Sequence, residues 1–213
     1  MYLFRRRARL QGSTLVESMG WATRIAQHVG QVSELRAGVF TTVFGPEVST
    51  VVWSAFVEGL QSLQDSFDKL MADKGYLALL ADGAKHVLPG TVDDSLHLVL
   101  HGEPEMTGEV NYVVSVRTTM VGGGLSRGVP LGIEIAEHSE RITGRSTLFV
   151  IDTAGNYGGV GWMTPFTSAA ELEQAQLALN GDPSFVEFLD ANVNGVYSSY
   201  PGATRQEILR RIG

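Results

Sequence analysis

The chain has no cysteine. Thiolate nucleophiles, disulfides and Cys-ligated zinc or iron–sulfur centres are therefore excluded, and a reducing cytoplasm is the expected setting. No stretch approaches the ~18 consecutive apolar residues of a membrane-spanning helix, so no membrane partner is expected. The opening Met1-Tyr-Leu-Phe-Arg-Arg-Arg places its basic residues after the apolar ones, and no apolar core of a signal peptide follows. Motifs with a mechanism are equally scarce: HExxH, EF-hand spacing and an ordered Ser-His-Asp set are all missing. Charge is also sparse, with 18% charged residues and a net charge of −7 over 213 residues. An acidic chain with one short basic segment makes nucleic acid an unsuitable partner.

What the sequence does contain is a long internal repeat. Ile25-Ala26-Gln27-His28 returns as Ile135-Ala136-Glu137-His138, and Tyr2 and Arg7 fall on Tyr112 and Arg117 at the same offset of 110. Trp53, Asp73 and Leu80 fall on Trp162, Asp182 and Leu189 at an offset of 109, so one slip in a loop aligns the halves. A period of half the chain is a duplicated domain and not a solenoid. The reading places a first unit at residues 1–102, a linker at 103–108 and a second unit at 109–213.

Each half spells βαββαβ. In the first, residues 2–11 read as a strand and 14–35 as a helix with Ser13 as N-cap. Residues 39–44 and 49–57 form a β-rich hairpin around Gly45-Pro46. Leu60, Leu63, Phe67, Leu70 and Met71 have helical spacing, broken at Gly75 before a short continuation, and residues 95–101 alternate as a strand. In the second half the corresponding segments are strand 109–120, helix 125–143, strands 147–153 and 159–166, and helices 169–179 and 185–189. Residues 204–212 could be helical by propensity, but the repeat aligns them with 95–100 and makes them a strand. The fold class is α+β, with two tandem ferredoxin-like units whose open sheet faces must be covered.

The run Thr50-Val-Val-Trp-Ser-Ala-Phe-Val57 leading into Glu58-Gly-Leu-Gln-Ser-Leu, and its match Val160-Gly-Trp-Met-Thr-Pro-Phe-Thr167 into Ser168-Ala-Ala-Glu-Leu-Glu, resemble the dimeric α/β-barrel superfamily. That superfamily includes antibiotic-biosynthesis monooxygenases and NIPSNAP-like proteins. The resemblance implies a dimeric α/β-barrel arrangement, a homo-oligomer and a small hydrophobic or aromatic ligand. The implied activity is a cofactor-independent monooxygenase or cyclase of aromatic polyketide-like substrates. Haem-degrading members carry an asparagine on the first strand and a tryptophan and a histidine on the second helix. Here Arg5 and Ser115 stand on the strands, and residues 58–74 and 168–181 lack both Trp and His.

The candidate chemistry rests on matched residues. His28 and His138 are candidate general bases, because imidazole titrates near neutrality; placed in the last turns of their helices, they could instead bond free carbonyls. Trp53 and Trp162 could stack on a planar ligand or belong to the core. Arg7 and Arg117 could hold an enolate, phenolate or carboxylate, or be solvated at an edge, and Tyr112 begins the corresponding strand. His97 and His101 share one side of a strand, where a surface face is expected, and no carboxylate pair completes a metal site. No metal and no cofactor is expected. Gly122-Gly123-Gly124 and the glycines between 155 and 161 lack the Gly-Lys-Ser/Thr ending and the GxGxxG spacing and read as turns. The opposing reading is a non-catalytic ligand-binding or assembly protein. A pocket of several hundred Å³ lined by Trp, Arg and His separates the two.

Overall fold

A computed structural model describes residues 1–104, 110–122 and 124–213. Residues 105–108 of the expected linker, Glu109 at the expected start of the second unit, and Gly123 lie outside the described residues. The chain divides into two compact units, Met1–His97 with Arg210–Gly213, and Leu98–Leu209.

The first repeat follows the expected order: β1 (Tyr2–Arg9), α1 (Leu15–Ser33), β2 (Gly38–Phe44), β3 (Thr50–Val57), α2 (Leu60–Ala72), α3 (Lys74–Asp82) and β4 (Asp93–His101), whose last residues fall in the second compact unit. The second repeats it with β5 (Tyr112–Thr119), α4 (Leu125–Thr143), β6 (Leu148–Ala154), β7 (Gly159–Phe166), α5 (Ala169–Gly181), α6 (Pro183–Asn192) and β8 (Arg205–Arg211). The terminal segment is a strand, as the repeat requires, although its Arg, Gln, Glu and Leu content favours helix. Strand order is β4-β1-β3-β2 in one unit and β8-β5-β7-β6 in the other, the split βαβ order of a ferredoxin-like fold.

The registers are equivalent. Arg6 of β1 faces Trp53 of β3, which faces Val39 of β2. In the second unit Val116 faces Trp162, which faces Phe149. Each long helix lays one apolar stripe on its sheet: Trp21, Ala22, Ile25 and Ala26 from α1, and Leu131, Gly132 and Ala136 from α4. Both helices stop in the left-handed conformation, at Glu34 (φ 63°) and at Gly144 (φ 67°).

Three local expectations are corrected. Ser13 is not an N-cap; it lies inside a 3₁₀ turn, Gly12–Thr14, whose side chains make no capping bond to α1. The break after α2 falls at Asp73 and not at Gly75. Asp73 ends α2 in an extended conformation, and its carboxylate accepts from the Tyr76 backbone N–H at 2.7 Å to start α3. Gly75 lies inside α3, where an added Cβ would stand 2.7 Å from the His28 ring. His97 is not on a surface: it is fully buried, with its ring bonded to the Ser95 hydroxyl at 2.9 Å.

Candidate functional site: an apolar cavity in the first unit

The first unit encloses a cavity of about 390 Å³ between its sheet and its helices. Alternation along β1 sends Phe4, Arg6 and Ala8 toward it and puts Arg5, Arg7 and Arg9 on the opposite face. β3 contributes Trp53 and Ala55, α1 contributes Trp21 and Ile25, and Phe67, Leu70 and Tyr76 close the helical side. Leu80 and Val92 line it and are also exposed, at 38% and 56%, so they mark its mouth.

The aromatic walls are fixed from behind. Trp53 donates its indole N–H to the Ala22 carbonyl at 3.0 Å, and Trp21 donates to the Leu79 carbonyl at 2.9 Å. The two indoles meet edge to face with centroids 5.9 Å apart, a favourable arrangement for ring quadrupoles. The His86 ring stacks on the far side of Trp21 at 5.5 Å. His86 is itself buried and held by Ser18 at 3.2 Å and Asp82 at 3.4 Å. Gly83 is required beside Trp21, because a Cβ there would lie 2.8 Å from the indole Cζ2.

Among the described residues Arg6 is the one charged residue of the lining. Its Nε and Nη2 each donate to one oxygen of Asp94 at 2.7 Å, a bidentate fork that leaves Nη1 outside it. The Asp94 bonds, with a smaller contribution from the Tyr76 hydroxyl, raise the guanidinium above its ordinary pKa against the opposing effect of burial. The cavity thus combines planar apolar walls with one fixed cationic corner beside a phenol.

In the second unit aromatic rings pack on the equivalent tryptophan. Phe149 stands where Val39 does, and its ring lies 5.3 Å from Trp162. Tyr197, paired to Met120 as Val87 is to Leu10, meets Trp162 edge to face at 5.4 Å. Gly132, in place of Ala22, makes room for the Phe149 ring, and Val116 replaces Arg6. Burial pushes the Tyr197 phenol upward in pKa, and its hydroxyl donates to the Gly128 carbonyl.

The matched residues have diverged accordingly. Trp53 lines the cavity, whereas Trp162 is packed in the second core and donates to the Gly132 carbonyl at 2.8 Å. Arg7 is not part of the lining, and Arg117 is bonded to both oxygens of buried Asp152 at 2.8 and 2.9 Å. Tyr112 packs beside Val114 and Phe166. His28 is bonded through Nε2 to Asp73 at 2.6 Å, tying α1 to the α2–α3 junction, and it does not line the cavity. His138 instead contacts the rings of Phe185 and Phe188, each at 5.3 Å. His101 is 3.4 Å from Glu140.

Among the described residues no group of three His, Asp or Glu side chains is placed to hold a metal, and no helix is long and apolar enough to cross a membrane. Arg6, Trp21, Tyr76 and Asp94 were not singled out by sequence. The available signal was asymmetry, since Arg6 and Trp21 align with Val116 and Leu131.

No protein-family model and no curated protein matches the sequence. Solved structures do match in fold. A protein from Fusobacterium nucleatum subsp. nucleatum, provisionally assigned as a monooxygenase, aligns over 100% of this chain and 92% of its own with TM-score 0.71 and 6% identity. An anthrone oxidase-like protein aligns over 100% and 91% with TM-score 0.66 and 10% identity. A haem-degrading enzyme from Listeria monocytogenes aligns over 99% of each chain with TM-score 0.53 and 8% identity. With strand order, register and full-length alignment in agreement, the chain has a dimeric α/β-barrel-type fold, built as two ferredoxin-like units in one polypeptide.

Proposed function

We propose that the chain takes a planar hydrophobic, aromatic polyketide-like small molecule into the first-unit cavity and acts on it as a cofactor-independent monooxygenase or cyclase of secondary metabolism. The cavity carries this reading: about 390 Å³ walled by Trp21, Trp53 and Phe67, with Arg6 and Tyr76 at one corner. Its volume lies in the range of drug-sized ligand sites. The folds of the monooxygenase-like and anthrone oxidase-like proteins agree with it.

The rings hold the ligand plane, and Arg6 with the Tyr76 hydroxyl meets a ring carbonyl. A hydrogen bond from the guanidinium polarises that carbonyl toward its enol, and solvent at the mouth beside Leu80 and Val92 relays the methylene proton to the oxygen. In an oxygenation the enol gives its electrons to dioxygen. The methylene carbon becomes a carbonyl, one oxygen atom is retained and the other leaves as water. Arg6 thus replaces Arg7 and Arg117 as the anchor in this proposal, Trp53 keeps its place, and Trp162 with Tyr112 becomes scaffold.

A second reading is binding without turnover. It is favoured by the lining itself, which among the described residues holds no His, Asp or Glu to take the ligand's proton, with His28 and His138 both outside it. Oxygen uptake with an enolisable anthrone in chelator-treated buffer separates the two. Turnover predicts saturable uptake of one dioxygen per quinone formed, reduced at least about tenfold in Arg6→Gln, consistent with losing one electrostatic stabiliser. Tryptophan quenching by the anthrone with uptake no faster than buffer would establish the binding reading instead.

A further inference from the structure

The fork between Arg6 and Asp94 sets a condition on the ligand. A guanidinium alone in an apolar cavity attracts carboxylates strongly. Here both coplanar donors, Nε and Nη2, are already taken by one carboxylate at 2.7 Å. The Arg6–Asp94 pair is therefore close to neutral as a unit. A second carboxylate at Nη1 would put two anions on one guanidinium, with the remaining lining side chains apolar apart from the two indoles and Tyr76. An uncharged carbonyl meets no such opposition. It can accept from Nη1 or from the Tyr76 hydroxyl while Asp94 stays in place. Asp94 itself is not part of the lining, and its side chain is 43% exposed, so its removal leaves no buried hole.

We propose that Asp94 is a specificity-determining positioning residue: by neutralising Arg6 it makes the first-unit cavity select uncharged oxygen-bearing aromatics and reject aromatic carboxylates of the same size. The inference rests on the reading of this cavity as the ligand site. It assigns to Asp94 a role exerted through Arg6, without contact with the ligand.

The test compares 2-acetylnaphthalene and 2-naphthoate, matched in shape and different in charge, by quenching of tryptophan fluorescence. The wild-type chain should bind the ketone at least about tenfold more tightly. Asp94→Asn should tighten naphthoate binding about tenfold, make it salt-sensitive, and leave the ketone within about threefold, because a freed but partly exposed charge is screened by solvent. Adding Arg6→Gln to Asp94→Asn should abolish the gain. A merely structural role for Asp94 would weaken both probes alike. An unchanged ketone-to-naphthoate ratio in Asp94→Asn, with the fold intact by circular dichroism, would overturn the assignment while leaving the cavity as the ligand site. Absence of quenching by either probe in the wild type would overturn the cavity reading and this inference together.

Discussion

Glu34 and Gly144 end equivalent helices in the same left-handed conformation, yet only one of them is glycine. The Cβ of glutamate makes that conformation costly, and the duplicate shows that the turn accepts glycine. Glu34→Gly should therefore stabilise the chain by about 0.5–1 kcal/mol, the relief of strain being partly offset by the greater freedom of glycine when unfolded. Urea denaturation is the measurement, and a lowered midpoint would show that the Glu34 side chain contributes more than its backbone strain costs. The same residue-by-residue comparison explains why the cavity anchor was not legible in the sequence. A search for residues recurring in both halves selects what both halves need, such as the tryptophans whose indoles bond to Ala22 and Gly132. Arg6 has Val116 as its counterpart, so pairing discards it. Trp53 was found because it serves both purposes.

At the scale of elements, the order of strands and helices was legible because hydrophobic period and turn chemistry agree along most of the chain. The last strand, Arg205–Arg211, was legible only through the repeat, since pairing in a sheet overrides its helical propensity. The nearest glycine, Gly75, predicts the α2–α3 break, whereas the physical cause is Asp73, which caps α3 and binds His28. Hydrogen bonding by His28, then by the Tyr76 backbone N–H, holds the Asp73 carboxyl below its ordinary pKa. A depressed folded-state pKa contributes stability above the unfolded value, and that contribution is lost as pH falls through the folded one. Asp73→Asn should consequently lower the urea midpoint near neutral pH, and the difference from wild type should shrink in acid below the ordinary aspartate range. A difference that stays constant down to pH 2 would show that the α3 cap alone, and not the charge on Asp73, is responsible.

For the whole molecule, duplication has produced two units whose equivalent tryptophans stand in different surroundings, Trp53 beside a cavity and Trp162 against Phe149 and Tyr197. Arg6 and Trp53 border an opening, whereas Trp162, in the row Val116–Trp162–Phe149, is packed by Phe149 and Tyr197. A chain built this way should bind one planar ligand, not two. Isothermal titration with 2-acetylnaphthalene should give one site per chain, and a fitted value of two would mean that the second core also opens. The second unit also serves as a template. It records which side chains pack against the equivalent tryptophan while the strand register around it stays the same. Copying Phe149 onto Val39, with Gly132 copied onto Ala22 to admit the ring, transplants a packing solution that this polypeptide already uses against the equivalent tryptophan.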